Sequence, residues 1–170
     1  MARILVVGDS VIEKLQLNHR VTMLCCPGAG VKTLAFHMQH FHGTFDMVVL
    51  HVGTNDIGML PPEEFHAAYK MLVDHIKSKF GSPKVLASSV LPRPRDHKDN
   101  CGQVVAFNQE ILRLVASHDV LSLCKGYRKF MRCGQVLSDL FSDGLHLTPK
   151  GYTLLAMSLD GRISNFMKLL

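Results

Sequence analysis

A chain of 170 residues has the length of one domain, so we treat residues 1–170 as a single domain, which could also be excised from a longer protein. Its composition is 47% hydrophobic and 19% charged, a balance that fills an apolar core without disulfides or a metal. The formal net charge of +5 favours anionic surfaces such as nucleic acid or acidic lipid. A basic surface without a ligand is the commoner case, so charge alone identifies no partner.

Short apolar runs predict five strands along the chain. In order these are Ile4–Val7, Val21–Cys25, Met47–Val52, Lys84–Val90 and Val120–Leu123. Helical patterns separate them: Val31–Phe41, an amphipathic helix opened by Pro62, Gln103–Ser117, and a last helix from Pro149 to about Met167. The segment Pro92–Asn100 is predicted to be a polar loop. This alternation indicates an α/β fold with a parallel sheet covered by helices on both faces.

Cysteine usage indicates a reducing compartment. The chain has five cysteines, an odd number, and no Cys-x-x-Cys pair, which argues against a disulfide framework and against a zinc site. The apolar run near the N-terminus is too short for a signal peptide, and no stretch is apolar enough to span a bilayer. We therefore expect a cytoplasmic protein with no metal and no other cofactor.

Polar and glycine-rich loops follow the first three predicted strands. They are Gly8-Asp9-Ser10, Pro27-Gly28-Ala29-Gly30 and Gly53-Thr54-Asn55-Asp56. In open α/β sheets, sites form beyond the carboxyl ends of the strands. If the strand order is 2-1-3-4-5, the first strand lies between the second and third. The three loops then converge on one crevice.

These loops, together with Asp143-Gly144-Leu145-His146 near the C-terminus, contain the groups that acyl transfer needs. A serine hydroxyl such as that of Ser10 needs a base within hydrogen-bond reach, which His146 can supply. Asp143 lies three residues upstream and can orient the imidazole. Oxyanion donors are available from the Ser10 amide, a glycine amide after the second strand, and the Asn55 side chain. Each piece alone is as typical of an ordinary turn or cap; their combination favours a site.

At these residues the chain resembles the SGNH (GDSL-like) hydrolase family. Gly8-Asp9-Ser10 is similar to its first block, Gly28 to the second, Gly53-x-Asn55-Asp56 to the third and Asp143-x-x-His146 to the last. The resemblance implies a flavodoxin-like, three-layer α/β/α fold and ester hydrolysis without a metal. It implies Ser10 as nucleophile, His146 as base and Asp143 as its orienting partner, with an oxyanion hole of Ser10, Gly28 and Asn55.

Two positions depart from the family pattern or leave it open. Val11 replaces the leucine of the Gly-Asp-Ser-Leu signature, at a position that does no chemistry. The second block reads Pro-Gly-Ala-Gly, so both Gly28 and Gly30 are candidates for the oxyanion hole. We favour Gly28 because it comes first after the strand.

Three segments, Ile4–Ser10, Thr22–Val31 and Met47–Asp56, resemble the esterase domain of first-open-reading-frame proteins from vertebrate LINE-type (non-LTR) retrotransposons. That resemblance implies activity on short-chain acyl or acetyl esters, including those of lipids. It also implies contact with a membrane surface and association with RNA through a longer parent protein.

Two other functions compete with the esterase. A lipid- or nucleic-acid-binding module with a vestigial hydrolase pocket would use the basic loop Arg93, Arg95, His97 and Lys98 and the patch Arg128, Lys129 and Arg132, although a solvated face is the default for both. A flavin or nucleotide binder ranks last because the loop after the first strand lacks a glycine-rich phosphate cradle. We interpret His37, His40 and His42 as surface residues. Met59 and Leu60, beside the Asn55 loop, could line an acyl pocket.

Overall fold

The computed structural model describes residues 1–170 and contains one five-stranded parallel sheet. Its strands are β1 (Ile4–Gly8), β2 (Thr22–Cys25), β3 (Met47–His51), β4 (Lys84–Ser88) and β5 (Leu121–Cys124). The helices are α1 (Leu34–His37), α2 (Pro62–Lys79), α3 (His97–Ser117) and α4 (Pro149–Met167). The strand order is β2-β1-β3-β4-β5, which confirms the predicted order 2-1-3-4-5 and the three-layer α/β/α fold.

The central strands are buried on both faces, as their solid apolar sequences predict. Along β1 the side chains alternate between two cores: Leu5 and Val7 belong to one cluster, and Ile4 and Val6 to the other. The first cluster lies under α2 and α3, and the second lies under α4. The sheet is therefore the middle layer of the fold.

Helix α2 is the amphipathic helix that the sequence predicted to begin at Pro62. Its buried side chains include Phe65, Tyr69, Leu72 and Ile76, spaced as an amphipathic helix requires. The ring of Phe65 stacks on Phe107 of α3, with centroids 3.8 Å apart. This contact joins the two helices on one face of the sheet.

Three details differ from the sequence predictions. The helix predicted over Val31–Phe41 is reduced to the single turn α1, because irregular turns occupy the flanking residues. Helix α3 begins at His97, inside the predicted polar loop Pro92–Asn100. A small antiparallel hairpin, β6 (Met131–Arg132) and β7 (Gln135–Val136), was not predicted, because two-residue strands carry no periodicity.

Candidate active site

The first loop of the site presents Ser10 at the carboxyl end of β1. Ser10 begins a 3-10 turn, Ser10–Ile12, which Asp9 caps by accepting a hydrogen bond from the backbone N–H of Val11 at 2.9 Å. Gly8 is needed just before it, since a Cβ there would lie 2.3 Å from the carbonyl oxygen of His51 on β3. The strand can therefore end tightly against β3 and leave the Ser10 hydroxyl half-buried at the sheet edge.

The hydroxyl of Ser10 meets the imidazole of His146. The distance from Ser10 Oγ to His146 Nε2 is 3.0 Å, and His146 Nδ1 lies 2.6 Å from Asp143 Oδ2. These contacts are satisfied together when Nδ1 carries the proton and donates to Asp143, which leaves Nε2 to accept the hydroxyl proton. The structure thus brings together the three residues predicted to form the triad.

Asp143 is held by the turn that it begins. Its Oδ1 accepts hydrogen bonds from the backbone N–H groups of Leu145 at 2.9 Å and His146 at 2.6 Å. The hydrogen bond to the His146 ring, with the His146 amide second, holds the pKa of Asp143 well below its usual range. Gly144 makes the turn possible with a φ of +80°, a left-handed conformation that favours glycine. The carboxylate is therefore charged and fixed where it orients the imidazole.

Three N–H groups lie on the loops around Ser10. The backbone N–H groups of Ser10 and Gly28 donate to no acceptor within the protein. The side-chain amide of Asn55 donates one hydrogen to the carbonyl oxygen of Ala29 at 3.0 Å, and an amide NH₂ has a second hydrogen to give. The contact with Ala29 fixes the Asn55 side chain against the loop that contains Gly28.

Asp56 also contacts the loop that contains Gly28 and Gly30. Its Oδ2 accepts from the backbone N–H of Val31 at 3.0 Å, and a Cβ on Gly30 would lie 2.3 Å from its Oδ1. Burial raises the pKa of this carboxyl, an effect that the Val31 bond partly offsets. The glycine at position 30 therefore allows close packing against Asp56.

Asp9 carries an electrostatic feature that the sequence analysis missed. Its side chain is fully buried beside Ser10, and Oδ2 has no hydrogen-bond partner. Burial, reinforced by the nearby Asp56 carboxylate, raises the pKa of Asp9 from 3.8 to about 7. The Gly-Asp-Ser sequence alone gave no sign of this, because the cause is the depth of the residue in the fold.

Arg93 corrects the prediction of a solvated basic loop. The residue as a whole is only 7% exposed, and its guanidinium donates to Asp96 and to the backbone carbonyl of Thr54. Arg95 and Lys98 are exposed, as expected of a solvated face. Sequence reasoning missed Arg93 because a run of basic residues gives no sign of which member points inward.

Other candidates stand apart from the triad. His37, His40 and His42 are exposed, and the structure contains no group of three His, Cys, Asp or Glu residues placed to hold a metal ion. Of the pair predicted to line an acyl pocket, Met59 is 76% exposed and Leu60 packs against the core. No helix has the combined length and apolarity needed to cross a bilayer.

Residues 6–154 match the model of the GDSL-like lipase/acylhydrolase family. The chain belongs to this family. It is therefore an ester hydrolase by class, and the resemblance seen in the sequence blocks is confirmed. None of the curated proteins compared with the chain matches it.

Solved structures share the fold at low sequence identity. A Streptococcus pneumonia protein named for platelet activating factor has a TM-score of 0.84 and 22% identity, over 94% of this chain and 82% of that chain. A carbohydrate esterase of family 3 from Talaromyces cellulolyticus has a TM-score of 0.77 and 17% identity over all of both chains. The esterase domain of the ZfL2-1 ORF1 protein from a zebrafish retrotransposon has 24% identity and a TM-score of 0.53, over 98% of this chain and 99% of that chain.

Proposed function

We propose that this chain hydrolyses short-chain acyl esters, acetyl esters above all, with Ser10 as the nucleophile. The observation that carries the proposal is the continuous line of contacts from Ser10 Oγ through His146 to Asp143, at 3.0 and 2.6 Å. A serine is activated when its proton can pass to an adjacent base whose tautomer is fixed by a third group. The contacts of Ser10, His146 and Asp143 support both parts of this arrangement.

The proposed reaction has two halves. Ser10 Oγ attacks the acyl carbon while its proton passes to His146 Nε2, and the carbonyl oxygen becomes an oxyanion. His146 then gives that proton to the leaving alcohol oxygen, and an acyl-serine remains. In the second half, His146 takes a proton from water, the resulting hydroxide attacks the acyl-serine, and the carboxylic acid leaves as the proton returns to Ser10.

The oxyanion would be stabilised by the N–H groups of Ser10 and Gly28 and by the second hydrogen of the Asn55 amide. Support comes from the two backbone groups, which have no acceptor within the protein, and from Ala29, which holds the Asn55 side chain. Donors fixed before the reaction stabilise developing charge without any cost of reorientation. Three such donors around one serine would therefore stabilise the negative charge of the tetrahedral intermediate.

The short acyl group is proposed by analogy with solved structures of the same fold. One structure of similar fold is named an acetyl esterase, at 16% identity and a TM-score of 0.77 over 99% of both chains. A lipid ester with a short acyl chain would present the same carbonyl to Ser10, so lipid substrates belong to the same proposal.

The test is a p-nitrophenyl ester series of acetate, butyrate and octanoate, with wild type and Ser10→Ala. The matched control is Ser138→Ala, which alters an exposed serine outside the proposed triad. We expect the highest kcat/KM on acetate, normal activity in Ser138→Ala, and only background hydrolysis in Ser10→Ala. Equal rates for wild type and Ser10→Ala would overturn the assignment of the nucleophile. A preference for octanoate would overturn only the short-chain part.

A second candidate function is binding to an anionic partner. That partner would be either a membrane surface or an RNA with which a longer parent protein associates. Lys125, Arg128, Lys129 and Arg132 are exposed in one short stretch, and none forms an ion pair with a carboxylate. Binding of this kind weakens steeply with salt. Retention on anionic vesicles or RNA that is lost in Arg128→Glu/Lys129→Glu, but kept in Ser10→Ala, would support it. No retention at low salt would exclude it.

A further inference from the structure

The segment Arg93–Asp96, between β4 and α3, contacts two separate loops of the site. On one side, Arg93 Nη1 donates to the backbone carbonyl of Thr54 at 2.7 Å, one residue before Asn55. On the other side, the backbone N–H of Arg95 donates to the carbonyl of Gly144 at 3.2 Å, two residues before His146. One short segment therefore bridges the loop of the oxyanion amide and the loop of the base.

The guanidinium of Arg93 is fixed by a two-point pair with Asp96. Nε lies 3.1 Å from Asp96 Oδ1, and Nη2 lies 2.6 Å from Oδ2. The Arg93 side chain is 9% exposed and that of Asp96 is 22% exposed, so solvent screens this pair less than a surface pair. A planar guanidinium can bind a carboxylate at two points and still donate to a third group, which a lysine ammonium does not reproduce.

The side chain of Asp96 binds Arg93 instead of capping helix α3. It stands at the N-cap position of α3, where an aspartate normally accepts from the first backbone N–H groups of the helix, yet its side chain makes no capping bond. Both of its oxygens go to Arg93. The local sequence would favour the cap, so the ion pair is the stronger determinant of the Asp96 conformation.

The chain just before the segment Arg93–Asp96 is also anchored, which gives this contact a defined position. The Asn108 side chain on α3 accepts from the Val90 N–H at 2.7 Å and donates to the Val90 carbonyl at 2.9 Å. At the Gly144 side, a Cβ on that glycine would lie 2.6 Å from the Arg95 Cβ, so the two backbones are closely packed. The segment is thus held to α3, to the Asn55 loop and to the His146 loop.

We propose that Arg93 is a positioning residue, which holds Asn55 at its working distance from Ser10 and His146 through the Thr54 carbonyl. It touches no reacting atom. The inference rests on the proposed role of Asn55 in the oxyanion hole. Its consequence is that losing the guanidinium displaces an oxyanion donor and lowers kcat, with little change in KM.

The test is a double-mutant cycle with Arg93→Met and Asn55→Ala on p-nitrophenyl acetate. The control is Arg113→Met, which removes an exposed arginine of α3 that pairs with Glu110 three residues before it. We expect Arg93→Met to lower kcat by about 10- to 100-fold, since removal of a whole oxyanion donor costs about 10²–10³. In the Asn55→Ala background the same change should cost less than about threefold, because its effect passes through Asn55. Arg113→Met should retain wild-type kcat.

Equal losses from Arg93→Met in both backgrounds would overturn the proposal, as would a rise in KM at constant kcat. If Arg93→Met fails to fold, Asp96→Asn replaces it in the cycle, because it weakens the two-point pair and keeps the arginine; the same expected and overturning results apply. Arg93→Lys should recover only part of the loss. A wild type no faster than Ser10→Ala would refute the esterase itself, which separates that failure from failure of the role of Arg93.

Discussion

Thr33 Oγ1 accepts a hydrogen bond from the backbone N–H of Gly30 at 2.9 Å. An amide engaged in this way would have to break that bond to reach an oxyanion. The N–H of Gly28 has no such partner, and its φ of +79° turns the chain just after β2. These two amides therefore differ in what they can do, and the difference supports Gly28 as the backbone donor in our proposal.

Substitutions at the two glycines should have different consequences. In Gly28→Ala the new methyl has open space, so the main effect is the left-handed φ, a loss of about 1–2 kcal/mol in the free energy of unfolding. In Gly30→Ala the Cβ would meet the Asp56 carboxylate at 2.3 Å, so Asp56 must move and the loss should be larger. Urea unfolding of both variants measures which substitution lowers the free energy of unfolding more.

Thr33→Ala serves as the kinetic control for the glycines. It removes the acceptor of the Gly30 N–H, and if Gly28 is the working donor, kcat should stay within about twofold of wild type. A large change in kcat in Thr33→Ala, or a greater destabilisation by Gly28→Ala than by Gly30→Ala, would contradict this account of the loop.

Asn55→Ala should lower kcat by about 10²–10³ while KM changes little, because the amide is needed mainly when charge develops on the oxygen. Asn55→Asp should be at least as poor, since a carboxylate would face the Ala29 carbonyl that the amide now contacts. Steady-state kinetics with p-nitrophenyl acetate separate the two parameters. A variant with raised KM and normal kcat would show that Asn55 binds substrate instead.

Much of this site could be predicted from the sequence because local patterns encode it. Solid apolar runs predict buried parallel strands, and the polar loops after them must meet at one sheet edge. The Asp143-Gly144 turn brings His146 back over Asp143 within three residues, which is a short-range event. These relations need only strand order and turn chemistry.

The rest depends on contacts that no local pattern specifies. Arg93 lies among exposed basic residues in sequence, yet its burial is set by Thr54, which is 39 residues away. Asp96 looks like a helix cap but pairs with Arg93. The elevated pKa of Asp9 likewise arises from burial in the folded chain.

Asp9 should make stability depend on pH. Burial, followed by the Asp56 carboxylate, raises its pKa in the folded chain to about 7 from an ordinary 3.8. The folded state then binds the proton more tightly than the unfolded state, so between pH 3.8 and 7 the free energy of unfolding contributed by Asp9 falls as pH rises. The full effect is at most about 4 kcal/mol.

Asp9→Asn isolates this contribution. Asparagine keeps an oxygen to accept from Val11 and cannot ionise. From pH 4 to pH 8, the free energy of unfolding of the wild type should therefore fall relative to that of the variant. Urea titrations at several pH values measure it. A difference that is constant with pH would show that Asp9 has an ordinary pKa.

Tyr69→Phe should leave the free energy of unfolding unchanged or raise it by about 1 kcal/mol, because the substitution removes a buried hydroxyl without a partner. The ring is fully buried and lies 5.5 Å from Phe65, centroid to centroid, a contact that phenylalanine keeps. Thermal and urea unfolding check this. A loss above about 1 kcal/mol would mean that the hydroxyl makes a stabilising hydrogen bond.

The most direct measurement of the central claim is covalent labelling by a fluorophosphonate, followed by mass spectrometry of the peptides. If Ser10 is the activated nucleophile, the label is found on Ser10, and both Ser10→Ala and His146→Ala abolish it. Both variants should also lose p-nitrophenyl acetate turnover to a similar extent, on the order of 10³-fold or more, because the triad acts as a unit. A label on another residue, or normal labelling in His146→Ala, would contradict the account.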